Sequence, residues 1–490
     1  MRINYQVNQT VFFKVLSEDQ IEEIYLGALE VLERTGVKIY QERAVKLLKE
    51  AGCDVTEGNR VRIPTSLVQQ ALATAPSRIG IANRRGEGVM MLEDGKVYYG
   101  PGPTCPNILD PYTKERRKFL KNDARNTARL CDALPNIDFV MSLGSISDVP
   151  QALADLHEFE AMVTNSIKPI VAWAFYVESM KDIYEMCVAI AGSEEEFLRN
   201  PFMIFYAEPN TPLCHGKDAV EKLLFAAEKK IPIVYTPCPI AGGTAPATMA
   251  GMLVDTLAEC LSGVVMSQVV RPGAPIIMGG VVSIMDMATT ILSYGAPELA
   301  LASAALAEVA RYLKLPMWST GGCTDSRLLD EQAALEAALN LLLAGLSGAN
   351  LIHDVGFMES AMTGSQELLV LSDEIIGMVR RIVQGIRVDE ETLALDVINK
   401  VGPGGNFLGE DHTLRHFRKE AWYPRLLDRR MYLDWVAGGS LTLAQRVNKK
   451  TREVLESYQP VPLPQDVLEG IDEILRRADE RAAEIEAQKV

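Results

Sequence analysis

Apolar positions in this chain change spacing as the sequence proceeds. Near the start, Ile21, Ile24, Tyr25, Ala28, Leu29 and Leu32 recur every three or four residues, the stripe of an amphipathic helix. Ser17 with Gln20 forms a capping-box pair ahead of it, and Gly36 is placed to end it. Further helices are expected over about 41–51 and from Pro64 to near Pro76. The run VMMLEDGKVYYG sets Asp94-Gly95 between two β-prone stretches, which predicts a hairpin. Beyond it the pattern becomes regular. Strand-like runs end near Tyr99, Leu143, Phe175, Ala207, Pro237, Gly279, Thr320 and His353. Each is followed by a helical period, near 122–133, 153–165, 179–191, 217–229, 247–268, 297–313, 329–346 and 370–384.

Strands alternating with helices at this spacing predict a parallel sheet, and eight such units predict an α/β fold of the (β/α)8 TIM-barrel type. The expected organisation is an N-terminal helical and mixed layer over 1–90, a barrel over 91–385, and a C-terminal loop and helical extension over 386–490. An open sheet of seven or eight strands is the alternative. The last segment, from Pro464, reads as a charged amphipathic helix, solvated or packed at a subunit contact.

Charge and cysteine usage narrow the function classes. A formal charge of −16 argues against a nucleic-acid partner, which needs a concentrated basic surface. The eight cysteines are scattered singly without a C-x-x-C, so buried reduced thiols in a cytoplasmic protein are expected. Cys214-His215 is an adjacent pair without a third ligand at a standard spacing, so no bound metal is expected. The first twenty residues lack the basic segment and apolar core of a secretory leader. The longest apolar stretches are broken by Gly, Ser, Asp and Glu, so no membrane span is expected.

In a barrel the residues just past each strand gather at one end, where the chemistry sits. Those positions hold Tyr99-Gly100, Trp173 and Phe175, Tyr206 and Glu208, Gly279-Gly280, Gly321 through Arg327, and His353-Asp354. Glycine pairs at strand ends let backbone approach something flat and large. None forms G-x-G-x-x-G before a helix with an acidic partner, which weakens a nicotinamide reading. The run STGGCTDSRLLDEQ (319–332) is richer in small and polar groups than a strand-to-helix connection requires.

Longer motifs bring a resemblance. ALPNIDFVMSLGS (133–145), AEPNTPL (207–213), PIAGGTAPATMAG (239–251), SYGAPELALASAALAEVARYLKLP (293–316), GGCTDSRLLDEQAALEAAL (321–339), GANLIHDVGFMES (348–360) and GPGGNFLGEDHTLRHFR (402–418) resemble the trimethylamine methyltransferase family over nearly the whole chain. The resemblance implies a barrel enzyme that moves a methyl group from an amine to the cobalt of a corrinoid carried by a separate small protein. Founding members carry pyrrolysine, whereas no lysine or unusual residue stands between 315 and 398 here, and Asn406 replaces a common histidine. The chain therefore looks like the non-pyrrolysine branch, similar to glycine betaine methyltransferases. Other betaines, trimethylamine, or a non-catalytic betaine-binding barrel are the alternatives.

A quaternary ammonium cannot donate an ordinary hydrogen bond, so aromatic faces must hold it, each contributing about 0.5–2 kcal/mol. Tyr99, Trp173, Phe175, Tyr206 and Phe357 are the candidates, any of which equally suits core packing. Trp173 and Phe175 flank Ala174 and so point to one side of their strand. Glu208 could face the ammonium. His353 could bind a substrate carboxylate or a water near cobalt. Asp325 and Arg327 compete for similar roles, Arg327 as a bidentate partner for a carboxylate. Gly279, Gly280, Gly321, Gly322 and Asn406 are the positions expected against the corrinoid. A small quaternary amine, the corrinoid protein and a homo-oligomeric neighbour are the expected partners.

Overall fold

The computed structural model describes residues 11–487; the first ten positions, read above for a leader, lie outside the described residues. Seven short parallel strands make the central sheet: β1 (Tyr98–Tyr99), β2 (Ile170–Trp173), β3 (Met203–Ala207), β4 (Ile233–Tyr235), β5 (Ile276–Gly279), β6 (Met317–Thr320) and β7 (Leu351–His353). Their order is β1-β7-β6-β5-β4-β3-β2, so from β2 to β7 sequence neighbours are spatial neighbours, and β1 lies against β7. Helices follow at the expected places: Lys121–Ala133, Ala154–Asn165, Val177–Ala191, Lys217–Lys229, Met249–Val270, Pro297–Tyr312, Glu331–Ser347 and Gln366–Val383.

The strand expected to end near Leu143 forms no ladder. The segment 138–141 instead runs between the two edge strands and bonds to each. The N–H of Asp138 donates to the Tyr99 carbonyl at 2.7 Å, and the N–H of Val171 donates to the Val140 carbonyl at 3.0 Å. On the β1 side the Asp138 carboxylate, rather than main chain, accepts from the Tyr99 N–H at 2.8 Å. Arg380 holds that carboxylate with two short bonds.

Period-two alternation explains why both faces of the sheet are apolar. Tyr98, Val171, Trp173, Ile204, Tyr206, Val234, Ile277, Trp318 and Leu351 share the inner cluster with Phe139 and Met141. Their neighbours Tyr99, Ala172, Phe205, Tyr235, Met278, Met317 and Ile352 pack outward with the helices. The inner cluster is capped at the strands' N-terminal ends by an antiparallel hairpin, Ile79–Ala82 with Gly88–Leu92. Its rim donates from Ala82 N to Pro201 O and from Arg84 N to Ile167 O, just ahead of β3 and β2.

That hairpin corrects an expectation. Asp94-Gly95 does form a turn, closed by Lys96 N to Glu93 O at 3.2 Å, but its flanks do not pair with each other. Gly88–Leu92 pairs backward with Ile79–Ala82, and Tyr98–Tyr99 joins β7. The second flank is only two residues long, and both its tyrosines find burial in the parallel sheet.

The Ser17–Gln20 capping box forms as read, with bonds of 3.2 and 3.0 Å. The helices Glu18–Glu30 and Thr65–Thr74 lie against Met249–Val270. That last helix is long and apolar enough to cross a membrane by length and composition, yet most of it, Asp255 and Glu259 included, is buried inside the protein. At the other end, Gln465–Ala487 packs on Val177–Ala191, with Ile471, Ile474 and Ala478 buried and Arg477 and Arg481 paired to Glu185 and Asp182. The charged amphipathic helix forms as read, its apolar side making an intramolecular contact and many of its other positions exposed. Between these parts, the helices Glu390–Leu393, Leu395–Val401, Asp411–Glu420 and Tyr432–Ala437 bury none of their residues.

Candidate functional site

The inward positions continue past the strand ends and define a site in two tiers. In the lower tier the Trp173 and Tyr206 rings stack at 5.1 Å, and Trp318 tilts against Tyr206 at 5.5 Å. His353 lies 4.3 Å from Trp318, centroid to centroid. The next inward positions carry Phe175, Glu208 and Thr236, with Cys238 two residues beyond. Phe175 and Cys238 pack in a second cluster with Leu143, Val281, Tyr294, Cys323 and Phe357. Trp173 and Phe175 thus share the inner side of their strand, one tier apart.

His353 is buried, and its Nδ1 lies 2.8 Å from the Ser319 carbonyl, which makes Nδ1 the protonated nitrogen. Burial pulls its pKa down to about 3, the Ser319 bond only partly opposing this, so the ring is neutral near pH 7. Its Nε2 stands 3.1 Å from Asp354 Oδ2 without hydrogen-bond alignment. Asp354 has a left-handed backbone, φ 68°, which drives its buried carboxyl across to Gly102. Burial, reinforced by the charge of Glu208, holds this acid well above the usual carboxylate range.

Glu208 is raised to about 7, chiefly by desolvation, while a 3.3 Å bond from the Tyr206 hydroxyl and the Lys222 charge pull it back. Lys222 reaches in from the helix Lys217–Lys229, donates to the Ala174 carbonyl at 2.6 Å, and sits 5.6 Å from the Trp173 ring centroid. Burial lowers its own pKa to about 8. Among the described residues no lysine or arginine lies within ion-pair distance of Glu208 or Asp354. The Trp318 indole N–H, Thr320 hydroxyl and Asp354 Oδ2 are buried without a partner. The site thus brings together two buried carboxyl groups, several ring faces and unmet polar atoms.

Other expected residues fall elsewhere. Tyr99 is inside the protein but on the outer face of the sheet, under the Arg380 guanidinium at 5.7 Å and against Gly345; Tyr98 takes the inward position. Arg327 is exposed, and its charge acts on Glu359, itself paired to Arg116. Asp325 ties the loop together, accepting from Ser293 Oγ, from Tyr294 N at 2.9 Å and from Ser360 Oγ at 2.8 Å. Asn406 is exposed and accepts from Leu408 N at 2.7 Å, a local turn. The glycine pairs are buried, and protein atoms fill the space a flat group would need. A Cβ on Gly279 would stand 2.0 Å from the Trp318 carbonyl oxygen, and on Gly321 2.9 Å from Ile352. They allow close strand packing.

Trp318, Lys222 and Tyr294 were not singled out from sequence. Trp318 was findable, since it stands two residues before Thr320 and so shares its inward side. Cys214-His215 joins a side sheet with Val37–Ile39, and the His215 Nδ1 faces the Tyr235 hydroxyl at 2.8 Å.

Comparison with known proteins decides the relationship. The family model described as trimethylamine methyltransferase (MTTB) matches residues 1–483. The chain belongs to this family. Within the family it is 34% identical over 468 residues to trimethylamine methyltransferase MttB of Desulfitobacterium hafniense, covering 95% of this chain and 94% of that one. MttB of Methanosarcina barkeri (strain Fusaro) is 34% identical over 479 residues, 96% of each chain. The glycine betaine methyltransferase of D. hafniense (strain Y51) is 31% identical over 459 residues, 93% of this chain and 95% of that one. The family is one of methyltransferases, and this chain is an enzyme of that class. The fold is likewise that of the M. barkeri monomethylamine methyltransferase MtmB, with a TM-score of 0.52 at 13% identity over 93% of this chain and 91% of that one.

Proposed function

We propose that this methyltransferase takes a methyl group from a quaternary ammonium compound and delivers it to the Co(I) corrinoid of a separate carrier protein. The observation that carries the reading is Glu208, a buried carboxyl beside the stacked Trp173 and Tyr206 rings with no lysine or arginine in ion-pair distance among the described residues. In this reading the corrinoid, held by the separate carrier, is a second substrate.

The chemistry asks little of acids and bases. The C–N bond breaks with its electron pair leaving on nitrogen, and the methyl group passes to the acceptor's cobalt nucleophile. The ammonium charge disappears along that path, so tight cation binding alone would favour the ground state. What these residues contribute is orientation of one methyl group outward and exclusion of water. A neutral His353 and a protonated Asp354 suit that role, since neither adds a fixed charge that must be overcome as the cation vanishes.

Glycine betaine is the first substrate to test, supported by the 31% identical relative and by ordinary residues throughout the 319–332 loop. Lys222, whose charge is felt by Glu208, is the buried cation at hand for its carboxylate. In the same reading 138–141 acts as the eighth stave of a closed barrel, and the divisions 1–90, 91–385 and 386–490 stand as its functional parts. The test is a methyl-transfer assay with a reduced corrinoid and a panel of quaternary amines. Turnover of trimethylamine alone, with every quaternary amine silent, refutes the reading.

A further inference from the structure

Tyr294 reaches the site from outside the regular strand-and-helix pattern. After β5 the chain makes an antiparallel ribbon, Ser283–Asp286 with Ile291–Leu292, and returns at Ser293-Tyr294 before the helix Pro297–Tyr312. The Tyr294 ring is buried and stands edge-on to Phe357 at 6.2 Å. Phe357 and the Asp354 carboxyl lie together against Gly102, where a Cβ would meet the ring at 2.4 Å and Asp354 Oδ1 at 2.1 Å. Tyr294, Phe357 and Asp354 therefore share one corner of the upper tier. Burial, then the neighbouring Asp354, Cys238, Cys323 and Tyr206, hold the Tyr294 hydroxyl well above the usual phenol range.

The loop after β6 sets that ring. Asp325 accepts from both Tyr294 N and Ser293 Oγ, and the Cys323 thiol reaches the Tyr294 carbonyl at 3.7 Å. Glu336 accepts from Asp325 N at 2.9 Å and from Thr324 Oγ1, and packs against Gly295, where a Cβ would stand 2.4 Å from its carboxyl carbon. Cys323, Thr324 and Asp325, with Glu336 behind them, thus place residues 293–295. The Asp354 carboxyl beneath is fully buried, its Oδ2 facing His353 Nε2 at 3.1 Å without an aligned bond and its Oδ1 turned to the corner at Gly102.

We propose that Tyr294 is a ring of the ammonium cage, and that Asp325 is the positioning residue that holds it over Asp354. The assignment rests on the ammonium-site reading above and adds to it the residue that selects charge. A ring contributes to cation binding through its face, so the hydroxyl is dispensable and the ring is not.

The test is calorimetric binding to the full-length protein of choline and of its uncharged carbon isostere, 3,3-dimethylbutan-1-ol. Tyr294→Leu is expected to weaken choline at least tenfold and the isostere less than threefold, with Tyr294→Phe within threefold of wild type for both. Asp325→Asn should raise KM for a quaternary amine at least fivefold while kcat stays within twofold, and should shrink the choline-to-isostere preference. If the leucine variant fails to fold, Tyr294→Met replaces it with the same expectation. A leucine variant that keeps wild-type choline affinity, or loses both ligands equally, overturns the assignment of Tyr294. A wild-type protein that binds none of choline, tetramethylammonium and glycine betaine overturns the ammonium site, and Tyr294's role with it.

Discussion

Ammonium binding should strengthen as pH rises through neutrality, and Glu208 sets the window. Its pKa is about 7 in the folded protein, against an ordinary value of 4.5, because burial disfavours the anion. Below pH 7 it holds a proton and offers a cation little; above, it is a carboxylate facing the site. The ionised fraction rises from roughly a tenth at pH 6 to roughly three-quarters at pH 7.5, an affinity gain of about eightfold or ~1.2 kcal/mol. The bound cation also favours the carboxylate, so binding should release a fraction of a proton near pH 6.5. Of the facing groups only Lys222 overlaps this range. His353 is neutral throughout with a pKa of about 3, burial holds Asp354 well above the usual carboxylate range, and Lys222, with a pKa of about 8, is about a quarter discharged at pH 7.5, which favours a bound cation in the same direction. Calorimetry with tetramethylammonium in two buffers of different ionisation enthalpy reads both quantities. Glu208→Gln should bind no more tightly than the wild type does at pH 6, should lose the eightfold rise, and should release no proton near pH 6.5. A wild-type protein with flat affinity, or a glutamine variant with the same slope, refutes the reasoning.

Lys222→Met should weaken glycine betaine at least fivefold more than choline, because choline lacks the anion that the ammonium would meet; equal losses in a binding titration remove Lys222 from the carboxylate end. Asp138→Ala strips the Tyr99 N–H and the Arg380 guanidinium of one shared acceptor and should cost about 2–4 kcal/mol in urea unfolding. An unchanged midpoint would show that the 138–141 segment is not needed to seal the sheet edges. Gly279→Ala, with φ 154° and a Cβ only 2.0 Å from the Trp318 carbonyl, should abolish soluble expression or lower the melting temperature by more than 10 °C; wild-type melting would be incompatible with so close a strand contact.

The alternating pattern made the eight helices and most strand ends legible, because period 3.6 and period 2 both survive in a sheet packed on two sides. It failed where a side chain replaces main chain. Nothing in DFVM indicates that the Asp138 carboxylate, not a carbonyl, would accept the Tyr99 N–H. The choice between Tyr98 and Tyr99 turned on a parity of one residue in a two-residue strand, too short to read. Glycine pairs were ambiguous in kind: the same residue type serves a ligand platform and a tight strand contact, and only the Trp318 carbonyl beside Gly279 distinguishes them. Glu208 and Phe175 were accessible because strand-end position alone singles them out. Tyr294 was not, since it stands on a return loop whose direction depends on Asp325 and Glu336, some thirty to forty residues away in the chain.

The hairpin 79–92 closes the N-terminal end of the inner face with Ile79, Ile81, Met90 and Leu92. In the closed barrel proposed above, a molecule in the upper tier would enter and leave by the opposite end. On the function proposed above, the carrier of the methyl acceptor would occupy that doorway during transfer, so the amine would have to be aboard before the carrier arrives. The demethylated amine would then wait until the carrier departs. Such traffic would make the reaction sequential with a fixed order, and excess carrier an inhibitor of the amine's entry rather than merely its partner.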